Sequence, residues 1–385
     1  MNIIDYLKWR GDLDFKQDPF NEVDNLCLCH MAYTMFDDLI DINTIITIQD
    51  LSALFFAKHS EEEIKANKSF VADAPYTLKA LANTNRFKNL KLHHFVSILN
   101  PETTEQFCAF QVDLSDNLVF VCFRGTDDSL IGWKEDFKIA YEVTKAQLSS
   151  SEYIKKYLKP LKKYIFAGHS KGGNLAIYAA MNAKKATRQR IISIYSNDGP
   201  GIADEFINQE VYQEMKDRYF KIVPEFDVFG LIYDHCEKMK VVKSDSFFLL
   251  QHAATSWQVM GNQFEEIPSI NPESKMIKDG FDDFMKEVSI ESRKDLIEEL
   301  FLALNELGVS KASDLSKTSI TALIKAIKKV FEMNEEQKEN GYKFVKIFTD
   351  MISNSVNQRI NNTKEAIQEG SKRFNESVES FFKKG

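Results

Sequence analysis

Residues 162–181 read KKYIFAGHSKGGNLAIYAAM, and this stretch decides the fold. An apolar run over Tyr164–Ala167 stops at a glycine. A serine follows between Gly168 and Gly172, and then Leu175, Tyr178 and Ala179 recur at helical spacing. Strand, sharp turn, helix is the setting that a nucleophile elbow requires. The turn lifts the serine hydroxyl above the sheet edge, and glycines on both sides let strand and helix approach closely. The helix N-terminus then faces the site and favours developing negative charge. Ser170 therefore reads as a nucleophile rather than as a small residue in a turn, with His169 pointing away from it.

Working outward, the same strand style continues on both sides. HHFVSIL (93–99), QFCAFQVDL (106–114) and NLVFVCF (117–123) precede the elbow, the last two joined as a hairpin would be. RIISIYSNDGPG (190–201), YFKIVPEFD (219–227) and KMKVVKSD (238–245) follow it. Strands alternating with helices imply a mostly parallel sheet covered on both faces, here an α/β core over residues 91–265. Residues 1–90 read as helices packed on that core, with Leu26, Cys29, His30, Tyr33 and Phe36 on one face.

The segment 262–280, with Pro268, Pro272 and Gly280, reads as a linker. Beyond it, residues 275–385 form a helical extension. One apolar stripe runs through Leu296, Leu300, Leu304 and Leu307, and a second through Ile320, Leu323, Ile327 and Phe331. A third starts at Phe344, Phe348 and Met351. A continuous helix over 335–382 would be about 70 Å long, too long for a compact domain to cover, so it either breaks near Gly341 or Gly370 or packs along a partner, by self-association or with another protein.

Bulk properties narrow the classes. A net charge of −8 gives no electrostatic case for nucleic acid. The start MNIIDYLKWRGDLDF is charged where a signal peptide would be apolar, and no run is long enough to span a bilayer. Five scattered cysteines point to free thiols and a reducing, cytoplasmic setting. CLCH (27–30) lacks a second ligand cluster, so it reads as packing and no metal is expected.

A second motif gives the chemistry a context. LVFVCFRGTDDSLIGWKEDF (118–137) is a strand ending in Arg124, Gly125 and Thr126, with Trp133 and Asp136 beyond. Together with GHSKGG it resembles the class 3 lipases, whose elbow is usually G-H-S-L-G-G. The resemblance implies an α/β-hydrolase fold and an oxyanion hole formed by the N–H groups of Thr126 and Lys171. It also makes residues 129–143 a lid candidate, the alternative being a helix packed on the sheet. IIDYLKWRGDLDF, GHSKGGN, DGPG and QHAATSWQV further resemble an uncharacterised bacterial family of lipase-like α/β-hydrolases over about residues 1–265.

A serine at neutral pH needs a histidine, and the histidine an acid to orient it. α/β-Hydrolases supply them in chain order serine, acid, histidine. Asp227 follows a strand end where that order puts the acid. Asp198, one strand earlier, is the alternative, otherwise a shaper of the Gly-Pro-Gly turn. His252, after the last strand, is the expected base, with His235 as the alternative. The expectation is a serine hydrolase of carboxylic esters, lipase- or esterase-like, with a small-molecule or lipid ester substrate and no cofactor. The competing expectation is a hydrolase-fold interaction protein whose C-terminal helices bind a partner. Lys171 departs from the lipase pattern. Its side chain is expected to be structural, pairing with the N-terminal helices, rather than to meet an anionic head group.

Overall fold

A computed structural model describes residues 1–311 apart from Lys68, Phe70, Asp128 and Leu307. The chain falls into two compact units, Met1–Asp314 and Leu315–Gly385. The boundary lies inside the 275–385 segment. The second and third stripes of that segment, and the association expected of them, lie outside the described residues.

Eight strands form one sheet in sequence order: β1 (Ile45–Thr47), β2 (Lys91–Asn100), β3 (Glu105–Ser115), β4 (Leu118–Phe123), β5 (Lys163–His169), β6 (Ile191–Asn197), β7 (Tyr219–Pro224) and β8 (Met239–Val242). β1 to β4 pair antiparallel and β4 to β8 pair parallel. The expected α/β architecture is thus present, with an antiparallel arm added to a parallel core. The first helices are α1 (Ile3–Arg10), α2 (Glu22–Met31), α3 (Ile48–Lys58), α4 (Glu61–Ala66), α5 (Ala74–Ala82), α6 (Leu130–Lys138), α7 (Lys145–Tyr157) and α8 (Lys171–Met181). After them come α9 (Lys185–Arg188), α10 (Gln209–Met215), α11 (Pro272–Glu287) and α12 (Ile290–Glu306).

Alternation along β4 and β5 separates two cores, because successive side chains leave a strand on opposite faces. Phe120, Cys122, Ile165 and Ala167 join α1 to α5 on one face. Val119, Val121, Phe123, Tyr164 and Phe166 join α7, α8 and α10 on the other. With both faces covered, β4 is apolar throughout and β5 is apolar from Tyr164 to Ala167, as parallel strands are.

The N-terminal helices are fixed by more than apolar packing. Asn2 and Asn21 close capping boxes at α1 and α2. Arg86, fully buried, pairs with the fully buried Asp24 on α2 and donates to the carbonyls of Leu13, Asp18 and Pro19. Tyr6 donates to the same Asp24 at 2.9 Å.

The expected linker is only half a linker. Residues 262–271 are extended or coiled, but Pro272 opens α11. Proline is favoured at a first helical position, where its missing N–H would have no partner. Leu296, Leu300 and Leu304 of the first stripe are buried on α12. α12 packs on α6, with the Phe137 and Phe301 rings 5.7 Å apart and Lys134 paired to Glu298 at 2.6 Å. Among the described residues no helix is long and apolar enough to cross a membrane, and no cluster of metal-ligating side chains occurs.

Candidate active site

Ser170 sits between β5 and α8 with φ 56° and ψ −134°. A non-glycine residue in this left-handed region is strained and persists only where surrounding structure enforces it. Two contacts do so here: Ser170 N–H donates to Asn197 O at 2.9 Å, and Gly173 N–H donates to Ser170 O at 2.9 Å. A side chain at Gly168 would collide with the Gly172 backbone, and one at Gly172 with Phe123 O. The Ser170 hydroxyl makes no capping bond to α8, although serine is a favoured cap.

The loop after β4 lies against this turn. A side chain at Gly125 would strike both the Tyr33 hydroxyl and His169 O. Thr126 Oγ1 donates to Asp136 Oδ2 at 2.6 Å. Thr126 and Lys171 are therefore on adjoining segments, at a loop and at a helix N-terminus.

His252 lies in a short 3₁₀ turn after β8. Its ring is 4.6 Å from that of His169, the residue before Ser170. His252 Nδ1–H donates to Asp198 Oδ2 at 2.6 Å. Here the structure corrects the sequence expectation: the carboxylate on His252 belongs to Asp198, not Asp227. Asp198 directly follows β6, which borders β5, whereas Asp227 follows β7, one strand further from the elbow. A strand spacing of about 4.8 Å decides which aspartate reaches the ring. Asp227 stands behind Asp198, the two carboxyl groups sharing the Gly230 N–H. Gly230 N–H donates to Asp227 Oδ1 at 2.8 Å and to Asp198 Oδ1 at 3.2 Å. His235 is placed elsewhere, its Nε2 2.9 Å from Ile202 O and 3.5 Å from Asp204.

Burial governs the protonation states. It lowers His252 to about 4, with the nearby Asp227 and Asp136 carboxyl groups opposing. It raises Asp198 to about 6, with the Asp227 hydrogen bond, Lys221 and Gly230 N–H holding it down. Burial and the neighbouring Asp198 charge push Asp227 well above the carboxylate range. At neutral pH His252 is a neutral imidazole beside an ionised Asp198.

His169 does not simply turn away from the site, as the sequence suggested. Its Nε2–H donates to His252 O at 2.8 Å, so its Nδ1 accepts from the Tyr33 hydroxyl at 2.9 Å. Burial keeps this ring neutral. A second tie runs from Thr255 Oγ1 to Asp73 Oδ2 at 2.7 Å, and from Asp73 Oδ1 to His30 Nε2 at 3.2 Å. Tyr33 and His30 were legible only as members of an apolar helical face.

The Lys171 side chain is buried. Its Nζ donates to Gln106 O at 2.9 Å, Gln106 Oε1 at 3.0 Å and Glu135 Oε2 at 3.1 Å. The structural use expected of it holds, but its partner is on α6 rather than on the N-terminal helices. Glu135, fully buried, also accepts from the N–H groups of Gln106 and Ala146, both at 2.8 Å. α6, in the lid-candidate segment, is thus pinned to the sheet on one side and covered by α12 on the other. A cleft of about 360 Å³ lies beside Arg124, lined among others by Asp37, Ile40, Phe95, Ser97 and Tyr157. None of the site residues above lines it.

Residues 81–302 match the Mbeg1-like family. No curated protein sequence matches the chain. Among solved structures, a fungal lipase–inhibitor complex is 17% identical, covering 44% of this chain and 68% of that one, with a TM-score of 0.32. M37 lipase is 15% identical, covering 54% of this chain and 68% of that one, with a TM-score of 0.31.

Proposed function

The chain belongs to the Mbeg1-like family, and from its site we propose that it is a serine hydrolase of carboxylic esters. One observation carries the reading: a histidine with its Nδ1–H on a buried aspartate, packed against a strained serine elbow.

In this reading Ser170 Oγ attacks the ester carbonyl while His252 Nε2 takes its proton. Asp198 holds the ring in the tautomer that leaves Nε2 free and stabilises the imidazolium that forms. The N–H groups of Thr126 and Lys171 receive the oxyanion. His252 then protonates the leaving alcohol, and an acyl-enzyme remains on Ser170. Water, deprotonated by the same histidine, releases the acid and restores the serine. The lysine after the nucleophile does not disturb this scheme, because only its backbone N–H faces the reaction. The lipase-like motifs favour acylglycerols or other lipid esters as substrates. The free, mostly buried thiols favour a cytoplasmic setting.

A fluorophosphonate probe tests the reading. Wild type labels and Ser170→Ala does not; a folded wild type that fails to label overturns it. A series of p-nitrophenyl esters of rising chain length then reads out the acyl preference.

A further inference from the structure

The carboxyl pair behind His252 holds one group more than a triad needs. Asp198 and Asp227 are both buried, at the ends of neighbouring strands, and share the Gly230 N–H. A methyl group built at Gly230 would stand 2.7 Å from both Asp198 Oδ1 and Asp227 Oδ2. Only a glycine lets the two oxygens converge there.

The hydrogen-bond inventory of the two groups is unequal. Asp198 Oδ2 receives His252 Nδ1–H, and its Oδ1 receives Gly230 N–H. Asp227 Oδ1 receives Gly230 N–H, but among the described residues no donor reaches the buried Asp227 Oδ2. A carboxylate oxygen buried without a donor is unfavourable, and so are two carboxylate charges side by side. One proton on Asp227 Oδ2, directed at Asp198, removes both problems.

We propose that Asp227 is a positioning residue: it is the protonated member of the pair and donates from Oδ2 to Asp198, holding Asp198 on His252. The charged groups facing the pair are few. Lys221, fully buried, is engaged by Asp234 at 2.8 Å, and Asp136, on α6, acts on His252 rather than on the pair. The neutral His169 ring backs His252. Lys221 stabilises one negative charge on the pair without hydrogen-bonding Asp227 Oδ2. The proton's location stands apart from the proposed hydrolysis; its effect on rate rests on that reading.

Infrared difference spectroscopy at pH 7 tests it. Wild type is expected to show a protonated-carboxyl carbonyl band that shifts in D₂O. Ser170→Ala retains the band and Asp227→Asn loses it. A wild type without the band overturns the proposal, as does a band kept in Asp227→Asn and lost in Asp198→Asn. The rate follows the donor. Asp227→Leu lowers kcat/KM by about 10- to 100-fold, the worth of one hydrogen bond to a charged group expressed as a rate. Asp227→Asn, whose amide still donates, recovers most of that loss. Equal losses in both variants refute the donor role. If the band is present but wild type hydrolyses no ester, the acid pair stands and the hydrolase reading falls.

Discussion

Replacing Lys171 by methionine separates the two parts of this residue. The backbone N–H stays at the head of α8, while the ammonium group leaves a site where its Glu135 partner is fully buried. Glu135 keeps two backbone N–H donors, from Gln106 and Ala146. Gln106 loses the donor to its carbonyl and to Oε1. Breaking a buried pair from one side costs about 3–5 kcal/mol, because the stranded charge cannot be hydrated. The two remaining donors put the expected loss at the lower end. Spread over the unfolding entropy of a unit of this size, that is about 5–6 °C in Tm. Thermal unfolding followed by circular dichroism reads the shift, and fluorophosphonate labelling below Tm reads the elbow. Labelling should persist. The double variant Lys171→Met with Glu135→Gln should recover part of the loss, since it removes the stranded charge. A Tm within about 1 °C of wild type would refute the burial argument. An unchanged Tm with labelling or turnover abolished would assign the side chain to the reaction.

Three further outcomes are expected. The base must be neutral and its aspartate ionised, so the acid limb of kcat/KM should fall between about 4 and about 6, where the buried pair titrates, not at the ordinary histidine value of about 6.5. A limb at pH 7 or above, read with a p-nitrophenyl ester, would contradict the burial of His252. Gly230→Ala crowds both carboxyl groups, so stability should drop by about 1–3 kcal/mol and kcat/KM with it; a neutral result in urea unfolding and turnover would mean the aspartates can part freely. Arg86→Met strands Asp24 and releases three loop carbonyls, so the urea midpoint should fall by the equivalent of about 3–5 kcal/mol; a change below about 1 kcal/mol would show the N-terminal helices to be held by apolar packing alone.

The parts of the fold legible in the sequence were those whose burial is written locally. β4 is apolar throughout, and β5 from Tyr164 to Ala167, because both faces are covered, and α8 shows its helical period beside the elbow. β1, three residues long, carries too few positions to show a period. α11 was hidden by a proline that breaks a helix in its middle but suits its start. At the site, Ser170 and His252 follow from a local turn and from chain order. The choice between Asp198 and Asp227 does not, since both follow strand ends and both precede His252. What separates them is which strand lies next to β5, a pairing made across the sheet. The partner of Lys171 was illegible for the same reason, since Glu135 is a charged residue in a helix until α6 is folded onto Gln106.

The hydroxyl of Tyr33 carries a consequence for where this protein can be cut. The family match begins at residue 81 and already contains the serine, the histidine and both aspartates. Yet the loop bearing His252 is moored through His169 to Tyr33, and through Thr255 and Asp73 to His30. A fragment trimmed to the matched segment would keep Ser170, His252 and both aspartates and lose the anchor of the His252 loop. The structural boundary of this site therefore lies upstream of the matched segment, and a minimal fragment that keeps its geometry must be sought from the N-terminal side of α2.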